Sequence, residues 1–565
     1  MSRRRRASVL ITAAVLATAA FAGEARAVGD DDLPSYVTAS AFTPIASGIA
    51  NRPQMLLETD YYVYGAGILP AEPDLVVSID RNGYDQPATM YLFWENRNNG
   101  QRQYYNVGQG LTNQEVDLFG AAGSPAQVLV PSLSDFRLFG PDSAFGSLPA
   151  GVPRGNGLYQ FVLEVRDAAG TRVIARSNAM YNFVGDVVNV SGNLAGGNWT
   201  NDKVYYLAGP TRVTSGTLNI QAGTVILGSQ AGQGVLIVRP GARIQAVGDA
   251  MRPIVFSSEN ERGDRAPGDW GGLAINGNAP VNIPNPVGEG DSGTYGGNDP
   301  NDSSGRLSYV RVEFAGIRFN DQDELNGIAL QGVGAGTQLD HLQIHYNQDD
   351  GIEFFGGTAN AKYVLVTNAE DDSLDWTFGW QGNLQFFVAI QTTTEAGEGI
   401  EADGQEQNPN ATPRSNPTLY NATFVGNRPL PGSDNGSCMN LRRGTSATIR
   451  NFVCEGFSGR GVNFSTSSSP ADASLSISNG IVFDVAGGLS DDPSRLGGTI
   501  LTADPRLPAP YGLTPDVAPL PGSPARGNAN VAAPPAGFFD AVNFLGGVNP
   551  NDPWIHEGWT TFSDN

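Results

Sequence analysis

The sequence predicts an all-β protein in two parts, an N-terminal immunoglobulin-like β-sandwich followed by a parallel β-helix. Three observations predict it. Glycine (72) and proline (37) are frequent, and long helical apolar periodicity is hard to find, which disfavours helices. Short β-branched and aromatic runs bounded by Gly, Asn and Asp recur instead. Beyond residue 185 these runs return at a step of about 20 residues, the size of one solenoid coil.

The first 27 residues read as an export signal. They have a basic start, an apolar run from Val9 to Ala22 and a small-x-small end at Ala25-Arg26-Ala27. The run is too short to span a bilayer permanently, and no later apolar run reaches spanning length. The expected setting is outside the cytoplasm, extracellular or periplasmic. The whole chain carries a net charge of −23. The signal holds five Arg and one Glu, so the remainder is more acidic still. Phosphate-directed binding of nucleic acid is excluded on charge, while divalent cations are tolerated. Cys438 and Cys454 are the only cysteines. Export permits a disulfide between them, but sequence does not show that they meet.

Residues 28–185 form the expected sandwich. "DLVVSID" (74–80), "MYLFW" (90–94), "RQYYNV" (102–107) and "GLYQFVLEVRD" (157–167) read as strands between turn-rich segments. "LYQFVLEVRDAAGTRVIARS" reads as a hairpin turning at Gly170. Nothing here points to chemistry; a spacer or binding module is expected.

Residues 186–565 form the expected β-helix with a C-terminal cap. Aligning Leu218, Leu236, Ile254 and Leu273 gives steps of 18, 18 and 19 residues. Aligning Ile328, Ile352, Leu374, Ile400, Met439 and Val462 gives 24, 22, 26, 39 and 23. The second set fixes a parity. Ile352 and Phe354, Leu374 and Trp376, Ile400 and Ala402, Met439 and Leu441, Val462 and Phe464 face inward. Glu353, Asp375, Glu401, Asn440 and Asn463 then face water, because the opposite parity buries carboxylates. The step of 39 implies an insertion flanking the strand "TLYNATFV". The tail "NPNDPWIHEGWTTFSDN" reads as a cap on the open end, with Trp554 and Trp559 to cover it.

Several linked motifs, among them "TLNIQAGTVILGS", "GDWGGLAINGNAPV", "NGIALQGVGAGTQLDHLQIHYNQDDGIEFFGG" and "DDSLDWTFGWQGNLQFFVAIQ", resemble a family of exported bacterial β-helix proteins. It includes leptospiral outer-membrane lipoproteins. The resemblance covers about residues 204–565 and implies a right-handed parallel β-helix at a cell surface or secreted. It carries no catalytic residues over. The chain departs from it by lacking a lipid-attachment Cys.

The carboxylates carry the functional question. Asp350, Asp372 and Glu398 share the column just before the strand, and Glu353, Asp375 and Glu401 share the outward column. Coils stack about 4.8 Å apart, so neighbours in a column repel unless a cation, a proton or a basic partner relieves them. Three roles are open to these six acids: solvated or turn-bonded surface groups, hard-oxygen ligands for structural Ca²⁺, or catalysis. The catalytic case rests on "YNQDDG", which resembles the paired-Asp segment of polygalacturonases. That resemblance implies acid and base roles for Asp349 and Asp350, with Asp372 on the next coil. The Gly-His-Gly and Arg-Ile-Lys segments of those enzymes are absent. His341 and His345 lie about 13 Å apart along a strand, too far for one metal, and are expected to be exposed. A lyase needs a basic residue beside Ca²⁺, and Arg442 and Arg443 are placed for it by position. Two functions follow: a non-catalytic surface scaffold binding glycan, a partner protein or calcium along an acidic face, or a hydrolase or lyase acting on acidic polysaccharides.

Overall fold

A computed structural model describes residues 37–564 apart from 39–44, 47–48, 50, 60–74, 121–123, 141–142, 150, 153–156, 184–185, 321–322, 428–435, 466–473 and 528. The expected export signal lies outside the described residues. Among them, no helix is long and apolar enough to cross a membrane. The N-terminal part is antiparallel. One sheet is ordered Val37–Thr38, Gln101–Asn106, Pro87–Asn96, Gly157–Asp167, Val173–Phe183; another is Gln54–Glu58, Leu75–Asp80, Leu133–Phe139. Their inner faces share one apolar cluster that includes Leu57, Val77, Leu92, Trp94 and Leu163.

From Asp186–Leu194 to Leu496–Leu501 the strands of one continuous sheet pair in parallel, each coil on the next, with two short antiparallel pairs standing outside it. A coil has three faces. In one coil these are the first half of Gln338–His345, its second half, and Ile352–Phe355. Ile328, Ile352, Leu374, Ile400 and Met439 pair in register. They share one buried core with Phe354, Trp376, Ala402, Leu441 and Phe464, so the inward parity holds. The first alignment does not. Leu236 pairs with Leu273, but Leu218 pairs with Ile244 and Ile254 with Val310. The 18-residue step joined strands of different faces, because short apolar strands on all three look alike in sequence.

Each long strand turns a corner at one residue of positive φ. Tyr309, His341, Tyr363, Phe386, Asn421, Asn451 and Asn479 form this column, with φ of 51–59°. Asn accepts that conformation readily; a bulky ring does not. The four ring residues are held by stacking, with centroids 4.2, 4.5 and 4.8 Å apart in turn. The three Asn side chains donate Nδ2 hydrogen bonds to the carbonyls of Phe544, Ala532 and Asn530. The C-terminal segment therefore runs along the flank. Trp554 and Trp559 pack on Leu365, Val388, Ile390 and Val425, not over an open end. The corner column supplies hydrogen-bond donors and ring faces along its whole length, which makes the flank the better site. The segment also reaches the N-terminal part: Gln54 Oε1 accepts from Thr514, and Arg52 pairs with Asp516 at 3.1 Å.

Candidate functional site

The acidic columns form where the turn after the corner strand leads into the short strand. Parallel pairing repeats each position one coil on, so Asn326, Asp350, Asp372 and Glu398 follow one another, as do Glu353, Asp375 and Glu401. These acids were expected to face water, and several do not. Asp350, Glu353 and Asp372 are buried, and Asp375 and Glu401 are half-buried. The reason is the excursion between Gly272–Asn276 and Gly305–Glu313, together with the residues after it. Val281, Tyr295, Ile317 and Leu325 fold over the outward side chains Ala274, Ala329 and Phe355, which covers the face the acids share.

Three groups of carboxylates converge, each with oxygens within 4.8 Å of one another: Asp349, Asp350 and Asp371; Asp350, Glu353 and Asp375; Asp372, Asp375 and Glu401. Asp350 and Asp375 each belong to two groups, so the three are linked. Glu398 stands apart from them, its Oε1 accepting from Asn440 Nδ2 at 3.1 Å. The trio Asp349, Asp350 and Asp372 is divided: Asp349 and Asp350 meet Asp371, and Asp372 meets the next group. Asp350 Oδ1 accepts from the Asp372 amide at 3.0 Å, and Asp372 Oδ1 accepts from the Glu398 amide.

Burial, then the charges of its neighbours, drives these groups toward the protonated form. Asp349 is pushed up to about 7 by burial and then by Glu324 and Asp371. Asp350, Glu353, Asp372 and Asp375 are raised well above the usual carboxylate range, by burial first and neighbouring carboxylates next. Basic help comes from Arg442, Arg443 and Arg318, the last paired with Glu324 at 2.6 Å and acting on Asp371. Arg442 touches Glu401 and donates Nε to Asp403 at 2.8 Å. Arg443 pairs with Asp403 at 2.7 Å and Glu406 at 3.0 Å. His345 is buried, bonded to Thr367 and the Ser563 carbonyl, and His341 is stacked between Tyr309 and Tyr363, so neither histidine is the exposed residue expected.

Sequence reasoning missed Asn326, Asp371 and Asp403. Asn326 Nδ2 donates to Glu353 Oε2 at 2.7 Å. Carrying the register one coil back from Asp350 finds it. The doublet Asp349-Asp350 recurs as Asp371-Asp372, which marks Asp371. Asp403 follows the strand Ile400–Ala402 and carried no signal beyond its charge. Cys438 and Cys454 are joined by a disulfide inside the coil, both sulfurs within the buried core.

A family model for a pectate-lyase-like β-helix domain matches residues 196–486. The chain belongs to the pectate-lyase-like β-helix family. Membership accords with the parallel coils, and all three carboxylate groups lie inside the matched stretch. No curated protein matches the chain, and no solved structure does. Within a pectate-lyase-like β-helix, an all-oxygen donor set of this kind suits a hard divalent cation such as Ca²⁺ rather than a soft metal. Two buried atoms fit that reading: Asp375 Oδ1 and Asn326 Oδ1 have no hydrogen-bond partner among the described residues.

Proposed function

We propose that the protein is an exported, non-catalytic β-helix scaffold whose acidic flank takes Ca²⁺ and whose surface meets a glycan or a partner protein. The N-terminal part acts as an immunoglobulin-like spacer. The observation that carries the reading is the group Asp350, Glu353 and Asp375, converging within 4.8 Å around a buried, unpartnered Asp375 oxygen. Three carboxylates so placed are stable only with protons or a cation between them. Asp350, Glu353, Asp375 and Asn326 would hold one ion, and Asp372, Asp375 and Glu401 the next. The ion supplies charge neutralisation that ties neighbouring coils together. The buried disulfide accords with an oxidising compartment. Thermal melting with Ca²⁺ and with EDTA tests the proposal. Ca²⁺ at 100 times its dissociation constant stabilises by about 2.7 kcal/mol, and a melting temperature indifferent to both removes the cation.

A second reading, a lyase acting on acidic glycans, is favoured by one observation. Arg442 stands at the edge of the columns, its guanidinium pushed down by burial and then by the Arg443 charge. Against it, Arg442 is tied to Glu401 and Asp403, and the acids it neighbours are largely covered. A screen on polyuronates with Ca²⁺ and with EDTA, alongside Asp350→Ala and Asp372→Ala, separates the two. Ca²⁺-dependent cleavage lost in both variants establishes the lyase.

A further inference from the structure

A cavity of about 260 Å³ lies where three parts of the chain meet. Its walls come from Leu56 of the N-terminal part, from the ends of three successive corner strands, and from the C-terminal segment at Tyr511–Pro515 and Phe562–Asp564. Binding cavities favour such junctions. The cavity shares no residue with the acidic columns.

The coil repeat explains why space is left here. Glu313, His345 and Thr367 pair in register. The residues just after them, Phe314, Tyr346 and Asn368, all have positive φ and form a second column. Phe314 stacks on Tyr346 at 5.8 Å. On the next coil the ring gives way to the smaller amide of Asn368. The cavity is lined by both Tyr346 and Asn368, where a third ring would continue the stack. Polar groups border it: Asn368, whose Oδ1 accepts from the Thr392 amide and hydroxyl, Thr392 itself, and Asp564. Tyr511 and Phe562 add further aromatic wall.

We infer that this cavity binds a neutral pyranose unit of a glycan, its C–H face on Tyr346 and its hydroxyls on Asn368, Thr392 and Asp564. An aromatic face beside amide, hydroxyl and carboxylate groups matches a sugar ring, which is apolar on its faces and rich in hydroxyls at its edge. The carboxylate of Asp564 at the cavity wall repels a uronate, so a neutral sugar is preferred.

The test is titration of the full chain, followed by NMR or calorimetry, with glucose, galactose, mannose and N-acetylglucosamine against galacturonate, in EDTA and in Ca²⁺. One of the neutral sugars binds with a dissociation constant on the order of a millimolar, as expected for about a dozen heavy atoms. Galacturonate binds at least tenfold more weakly, and EDTA leaves the affinity unchanged. Leu513, 37% exposed at the cavity wall, can be enlarged without disturbing a core. Leu513→Trp, checked for an unchanged circular dichroism spectrum, weakens binding at least tenfold, as does Tyr346→Leu. Absence of binding by all four neutral sugars, equal binding of galacturonate, or undiminished binding in Leu513→Trp overturns the inference. EDTA sensitivity of sugar binding also overturns it, placing the sugar on the acidic flank instead.

Discussion

A buried carboxylate oxygen without a partner forgoes its hydration and gains nothing in exchange, and Asp375 Oδ1 is such an atom. Two predictions belong to this residue and its neighbours. Asp375→Asn removes a charge shared by two of the three groups. In EDTA the variant is expected to be more stable than the parent, by on the order of 1 kcal/mol, and Ca²⁺ is expected to raise its melting temperature less. A variant that is less stable in EDTA would show that the charge is satisfied by something other than a cation. The second prediction concerns pH. These carboxyls have folded values above their unfolded ones, with Asp349 up to about 7. These groups therefore hold more protons in the folded state than in the unfolded, and their contribution to stability is present at low pH and lost as pH rises through their folded values. In EDTA the melting temperature is expected to fall as pH rises from about 6 through about 8, above the range in which ordinary carboxylates titrate. On the proposed Ca²⁺ site the ion replaces those protons, and in its presence the fall is expected to flatten. A pH profile identical with and without Ca²⁺ would sink the coupling.

The coil shows what was legible at the scale of an element, and why. Ile352 to Met439 could be aligned because each short strand buries two apolar residues flanking a polar one, and parallel pairing copies that pattern unchanged; Ile328, with Ala329 in the polar place, joins the series through the flanking Gly327 and the spacing. Leu236, Ile254 and Leu273 could not, because strands buried on both faces, such as Val235–Val238, carry no alternation to distinguish them; Leu218 lies in an alternating strand of another face. The acidic columns were legible as columns. Their burial was not, since it depends on the segment around Val281–Leu325 folding back over a face that local pattern assigns to water. The disulfide belongs to the same scale. Cys438 precedes the strand Met439–Leu441, and Cys454 lies in Ala447–Glu455, 16 residues on. A closed loop of that length limits the unfolded chain by about 3 kcal/mol. Cys438→Ser with Cys454→Ser is expected to lose about that much in urea unfolding, with the native circular dichroism spectrum retained. A loss below about 1 kcal/mol would mean that the coil alone fixes this corner.

At the scale of the molecule, a solenoid flank needs a cover wherever its outward side chains are apolar. Leu365, Val388, Ile390 and Val425 form such a stripe, each at most 1% exposed. They are closed off by Val517, Val548, Trp554, Ile555 and Trp559 of the C-terminal segment. The Asn421, Asn451 and Asn479 amides hold the same segment by its carbonyls. Ser563 and Thr514 carry it on to Glu58 and Gln54. One stretch of chain thus covers the stripe and fastens the N-terminal part to the coils. Trp559, fully buried, joins these roles, since the Arg311 guanidinium also donates to its carbonyl at 3.2 Å. Trp559→Ala is expected to cost about 3–5 kcal/mol, measured by urea unfolding against Asp552→Ala, an exposed change expected to stay within about 0.5 kcal/mol. Ending the chain at residue 503 uncovers the whole stripe. That protein is expected to bind a hydrophobic dye and to associate, because contiguous apolar surface of this kind seeks a partner. A truncated chain that remains monomeric and dye-free would show that the coils are complete without their strap, and would leave the flank column with no role in holding the two parts together.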